Sequence, residues 1–128
     1  MIRKLTEAEC RFAMETGDFD PALVSGPAAA IILTQSWCPQ WISMKNYLPQ
    51  AEAAVGSALG VASDDVRLYY VEYDVENWEN LENEAFMAFK ENTFNNREIP
   101  YVRYYQKGVF CRESNYISQD GFKSRLGG

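Results

Sequence analysis

The residue with most chemistry to offer is Cys38, within Ser36-Trp37-Cys38-Pro39-Gln40-Trp41. It follows the apolar run Ala28–Leu33 and precedes a long helical pattern, so it stands where a buried strand hands over to a helix N-terminus. Unpaired backbone N–H groups and the helix dipole at such a junction favour a thiolate, the nucleophilic form of cysteine. No Lys or Arg lies within the five preceding residues, and Lys45 is two turns into the helix, so activation rests on the helix terminus alone. The position that a Cys-x-x-Cys pair would fill is Trp41. The other cysteines, Cys10 and Cys111, are widely spaced, and an odd total of three makes no disulfide framework. With no histidine in the chain, His-based metal sites and Cys–His or Ser–His catalysis within it are excluded. The acidic stretch Asp74–Glu84 lacks the spacing of a calcium loop and reads as a solvated connection, so neither a metal nor a cofactor is expected.

Composition frames what can position that thiol. At 128 residues, 47% apolar and 23% charged, the chain reads as one soluble globular domain, 1–128, large enough to bury a core without staples. A net charge of −6 argues against a nucleic-acid surface, which needs a basic stripe. No apolar run approaches the roughly 18 residues of a membrane span. The opening Met1-Ile2-Arg3-Lys4-Leu5-Thr6-Glu7 does not read as a secretory signal, and a cytoplasmic location is the expectation.

The pattern predicts a short strand at Ile2–Leu5, then a helix opened by a capping box, Thr6-x-x-Glu9, and stopped by Gly17. Asp20-Pro21 predicts a second short helix, with Asp20 as N-cap. Ala28–Leu33 reads as a strand buried on both faces. From Pro39 a helix carries Trp41, Met44, Leu48, Ala51, Val55 and Ala58 on one stripe, bends at Pro49 and stops at Gly60. Val66–Val75 reads as a buried strand, and Asn83 as the cap of a helix bearing Ala85, Phe86, Phe89 and Phe94. Tyr101–Gln106 and Val109–Glu113 around Lys107-Gly108 form a hairpin, and Ser118 opens a final helix with Phe122 and Leu126. The helix between the first two strong strands predicts that they pair in parallel, and the closing hairpin predicts an antiparallel edge.

In this order the pieces resemble the thioredoxin family over nearly the whole chain. Trp37-Cys38-Pro39-Gln40-Trp41 falls where that family carries Trp-Cys-Gly-Pro-Cys, and Tyr73-Asp74-Val75-Glu76-Asn77 resembles the end of its third strand. Arg97-Glu98-Ile99-Pro100 resembles the loop whose Ile-Pro bond is cis in the family and faces the active cysteine, and Tyr104–Gly108 the strand and turn after it. The resemblance implies an α/β, thioredoxin-like three-layer sandwich, a mixed central sheet with helices on both faces. It also exposes departures. The resolving cysteine is Trp41, the buried carboxylate falls near Ile32, its lysine partner near Glu72, and Pro49 comes about one turn late. A standard dithiol thioredoxin is therefore not expected.

Two readings of function stay open. In one, Cys38 is the nucleophile of a monothiol thiol–disulfide exchange, with Trp37, Pro39 and Trp41 at the rim and Ile99-Pro100 as a clamp for an extended substrate backbone. A lone thiolate forms a mixed disulfide and needs an outside thiol, glutathione or a protein, to resolve it. Cys10 and Cys111 are not expected near the active loop. In the other reading the same groove binds a protein partner without catalysis, and Cys38 is a small apolar filler. Trp41 either roofs the site as a flat aromatic surface or is tucked into the core. Neither reading involves nucleic acid or membrane.

Overall fold

Ala28–Thr34 (β2) contains no charge and every one of its residues is buried, a pattern possible only for a strand covered on both faces. A computed structural model describes residues 1–127. In it β2 is the middle of a five-stranded sheet ordered β1-β3-β2-β4-β5, where β1 is Ile2–Lys4, β3 Val66–Glu72, β4 Tyr101–Gln106 and β5 Val109–Ser114. β2 pairs in parallel with β3, Ile32 opposite Tyr70 and Thr34 opposite Glu72, and antiparallel with β4, Leu33 opposite Tyr101. The predicted pairings of both kinds are present. At the β4–β5 turn, Lys107 and Gly108 have φ of 52° and 82°, the double positive of a type I′ hairpin.

Side-chain alternation sorts the sheet into two cores. Ala29, Ile31 and Leu33 face one side with Tyr69, Val71 and Tyr73, beneath α1 (Glu7–Thr16) and α3 (Asn83–Thr93). Ala28, Ala30 and Ile32 face the other with Leu68, Val102 and Tyr104, beneath α2 (Pro39–Leu59) and α4 (Gln119–Gly127). The result is the α/β three-layer sandwich that the sequence implied. Among the described residues no helix is long and apolar enough to cross a membrane.

Local signals set most helix ends. Thr6 Oγ1 accepts from Glu9 N while a Glu9 carboxylate oxygen accepts from Thr6 N, the expected capping box. Gly17 and Gly60 close α1 and α2 in the left-handed conformation. Pro49 lies inside α2 as expected. Three expectations are corrected. Asp20–Val24 is a single turn, not a helix, because Val24 N–H already reaches Pro21 O and the chain leaves for β2. The cap of α3 is Glu82 rather than Asn83, whose side chain instead donates back to Glu76 O. The buried stripes also differ: Ala58 and Ala85 are exposed, while Lys90, four residues after Phe86, is buried with Phe86 and Phe89.

One buried cation ties the α1-to-β2 connection to β4. The Arg103 guanidinium lies 4.0 Å from the ring centroids of both Phe94 and Phe110. It donates to Tyr105 Oη (2.9 Å), Tyr101 Oη (3.0 Å) and Asp18 Oδ2 (3.0 Å). Tyr105 Oη in turn donates to Asp18 Oδ1 at 2.6 Å, so charge, hydrogen bonds and rings are all satisfied together. Arg103→Met keeps the apolar contacts but takes the counter-charge from Asp18 and the donor from Tyr101 Oη, leaving Tyr105 bonded to Asp18. We expect it to cost about 1–3 kcal/mol in urea denaturation, the range for leaving a buried polar group without its partner, since the half-exposed Asp18 is screened by water. A cost near zero would show the network to be idle.

Candidate functional site

The end of β2 delivers the chain to a short loop, Gln35–Trp37, whose shape is set from β3. Asp74, two residues past the end of β3, accepts from Ser36 N (2.7 Å) and Ser36 Oγ (2.6 Å). Tyr73 N–H donates to Thr34 O at 3.0 Å, and Cys38 N–H to Gln35 O at 3.3 Å. Cys38 is the N-cap of α2 with extended backbone, and Pro39 occupies the first helical position, where a missing N–H costs nothing. The thiol therefore stands at the strand-to-helix junction that its sequence position implied. Trp37 projects from this loop with 62% of its surface exposed, its indole N–H donating to Gln35 Oε1. Pro39 is exposed beside it. A depression lined by Gln35, Tyr73, Asp74, Asn83, Glu84 and Met87 flanks the loop.

Cys38 is only 5% exposed. Its side chain turns down onto the α2-side core, and Sγ donates to Ile99 O at 3.9 Å. The Ile99–Pro100 peptide bond is cis, and this loop faces the cysteine across the end of the sheet. Asn96 Oδ1 accepts from Glu98 N (3.0 Å), Asn115 Nδ2 donates to Pro100 O (3.2 Å), and Lys90 Nζ donates to Glu98 O (2.5 Å). Ile99 is left with an N–H that donates to no protein acceptor among the described residues, and a carbonyl met only by the Cys38 thiol. Between Glu98 and Pro100, whose backbone groups are tied down, that pair is a vacant strand edge one residue long.

Trp41 is corrected outright as a rim residue. It is fully buried, because the first turn of α2 presses this face onto the sheet, where its ring packs 5.3 Å from that of Tyr70. Its indole N–H donates to Glu72 Oε2 at 2.9 Å. Lys4 and Lys45 ammonium groups each lie 3.7 Å from the same carboxylate, and Lys45 also sits 5.0 Å above the Tyr70 ring. The sequence reading found an apolar Ile32 where a carboxylate was expected and an acid where a lysine was expected. In the structure the acid, Glu72, shares the α2-side face with Leu68 and Tyr70 and accepts from the buried indole of Trp41. The signal was available in the parity of β3: residues 68, 70 and 72 point one way.

The remaining cysteines stand apart. Cys10 belongs to the core on the opposite face of the sheet, and burial pushes its thiol far above the usual range. Cys111 is exposed on β5, the edge strand beyond β4, its thiol donating to Val109 O. Among the described residues no group of three or more His, Cys, Asp or Glu side chains converges to hold a metal ion.

Replacing Trp41 by Phe keeps a ring in the core and removes the donor to Glu72. We expect a loss of about 1–3 kcal/mol in chemical denaturation, the usual cost of leaving a buried acceptor unpaired. An unchanged midpoint would mean that the two lysines satisfy Glu72 by themselves.

No family model matches the chain, and no curated protein matches it. Solved structures do. Thioredoxin O2 from Arabidopsis thaliana, in the oxidised state, superposes with a TM-score of 0.63 at 17% identity, over 96% of this chain and 89% of that one. Trxlp from Edwardsiella tarda gives 0.59 at 15% identity over 98% of each chain. A buckwheat glutaredoxin–glutathione complex gives 0.50 at 15% identity, over 95% of this chain and 90% of that one. Identities this low speak to architecture, and the architecture is unambiguous: this chain has the thioredoxin fold.

Proposed function

We propose that the protein, acting as one domain over 1–128, performs thiol–disulfide exchange through the single thiol of Cys38 and relies on an external thiol to finish each cycle. The observation that carries this reading is Sγ of Cys38 lying 3.9 Å from the carbonyl of Ile99, next to the unpaired Ile99 N–H. An extended peptide pairing with that N–H and C=O is brought alongside the sulfur. Trp37 and Pro39 supply the exposed wall of the groove, and Pro100, buried, supports its floor.

The chemistry is a substitution at sulfur. Cys38 gives its proton to water and its sulfur attacks one sulfur of a substrate disulfide. A Cys38–substrate S–S bond forms as the original S–S bond breaks, and the departing thiolate leaves with the electron pair and takes up a proton. A second thiol then attacks the mixed disulfide, carries the bound half away as a new disulfide and returns Cys38 as a thiol. Nothing on the chain does this internally. Cys10 lies across the sheet, Cys111 is at its edge, and Trp41 fills the neighbouring position. Glutathione suits the external role, and a similarly folded glutaredoxin is known in complex with it.

A second reading, a non-catalytic module that binds a protein partner through the Trp37 and Ile99–Pro100 groove, is favoured by one observation, the 5% exposure of Cys38. Oxidised glutathione separates the two. To remove the exposed bystander, Cys111→Ser is the background. Intact-mass analysis is expected to show one glutathionyl adduct, lost when Cys38→Ser is added, and insulin reduction only when a thiol such as glutathione is supplied. A Cys38 that stays unmodified over hours, while reacting freely after denaturation, would hand the groove to the binding reading.

A further inference from the structure

Lys90 is the one buried group near the site that the exchange reading leaves idle. It sits on α3 with no exposed surface, among Phe86, Phe89 and Tyr101, its ammonium 5.8 Å from the Tyr101 ring centroid. A lysine almost never goes fully inside unless its charge is met. Its one hydrogen-bond acceptor is the carbonyl of Glu98, at 2.5 Å. That carbonyl belongs to the same peptide unit as the unpaired Ile99 N–H.

The two ends of a trans peptide point in opposite directions. A carbonyl pulled inward by an ammonium therefore turns its N–H outward. An acceptor bonded to a cation also polarises its own amide and strengthens the N–H as a donor. We propose that Lys90 is a positioning residue for substrate: by holding Glu98 O from inside the core, it presents the Ile99 N–H to an extended peptide lying beside Cys38. This rests on the exchange reading for the identity of the ligand, and on geometry alone for the hold on the loop. Asn96 and Asn115 brace the flanks of the same loop, at Glu98 N and Pro100 O, and Lys90 holds the Glu98–Ile99 peptide plane, which neither of them touches.

The charge responds to pH in an accessible range. Burial pushes the Lys90 ammonium down to about 8, opposed by the carboxylates of Glu91 on its own helix and Glu98 on the loop. From β4, Tyr101 presents its ring. Arg97 is occupied by Glu91 at 3.1 Å. The hold is therefore charge-assisted below about pH 8 and weakens above it as the amine becomes neutral.

Lys90→Met fits the apolar pocket and removes the donor, and Lys90→Arg restores a cation. Three readouts apply to each. Mixed-disulfide formation with a disulfide-bearing peptide uses the Ile99 backbone, alkylation by iodoacetamide does not, and the ¹⁵N–¹H shift of Ile99 reports the peptide plane without any Cys38 chemistry. In Lys90→Met, peptide exchange is expected to fall about tenfold at pH 7 while alkylation stays within about twofold. Lys90→Arg recovers part of the loss, and the wild-type advantage fades above pH 8. The Ile99 amide should titrate with a midpoint near 8 in the wild type and not in Lys90→Met. Equal falls in exchange and alkylation, unchanged exchange, or an Ile99 amide indifferent to both pH and Lys90→Met would each overturn the proposal. If the wild type exchanges with no disulfide yet its Ile99 amide titrates only when Lys90 is present, the exchange reading fails and the hold on the loop stands.

Discussion

Burial of β2 on both faces is the constraint from which the rest follows. Every residue of Ala28–Thr34 is covered, so all its backbone groups must pair with β3 on one side and β4 on the other. A one-residue slip would turn Ala28, Ala30 and Ile32 to the wrong core, so the register is strict. The point where β2 ends is then fixed relative to Glu72 and Asp74 on one side and Tyr101 on the other. Cys38 and Ile99 meet because they leave the same end of adjacent strands, β2 outgoing and β4 incoming. The site is a consequence of strand pairing before it is anything chemical.

The Trp41–Glu72 pair shows how such a frame accommodates a changed site. An indole in the first turn of α2 brings a large apolar body and one N–H that must be satisfied when buried. Glu72 supplies the acceptor from the next strand, and Lys4 and Lys45 keep that carboxylate from being a lone buried charge. Among the described residues none of these groups is hydrogen-bonded to Cys38. They hold the helix start against the sheet, which is what keeps the remaining sulfur in place opposite Ile99. The carboxylate here supports packing.

Much of this was legible in the residues themselves. Alternation and continuous apolar runs identified the strands, the Thr6–Glu9 box and Gly17 bounded α1, and the crossover helix implied the parallel pair. What periodicity does not encode is depth. Cys38 and Trp41 fall at the same helix start whether exposed or buried, and the decision belongs to the sheet and to the aromatic neighbours that only tertiary structure assembles. Lys90 was invisible for a related reason. On a helix carrying Glu84 and Glu91 a lysine reads as one more solvated charge, and nothing local signals that Phe86 and Phe89 draw its face inward beneath the 96–100 loop. Arg103 was hidden likewise: among alternating tyrosines it reads as a solvent-facing gap in a strand, and its acceptor Asp18 is 85 positions earlier.

Around Ile99 the backbone groups divide. Glu98 N, Glu98 O and Pro100 O all have protein partners, and Pro100 has no N–H to satisfy. Among the described residues the Ile99 N–H between them donates to no protein acceptor, and the Ile99 carbonyl is met by the Cys38 thiol. A free donor and acceptor cost little here because water reaches half-buried Ile99, yet they are held rigidly enough that a peptide pays little ordering entropy to use them. In the exchange proposed above, a substrate that takes the Ile99 carbonyl would draw the acceptor away from the Cys38 thiol as a disulfide arrives beside it. Attack on that disulfide would then need no second cysteine, and only release of the mixed disulfide would fall to an external thiol.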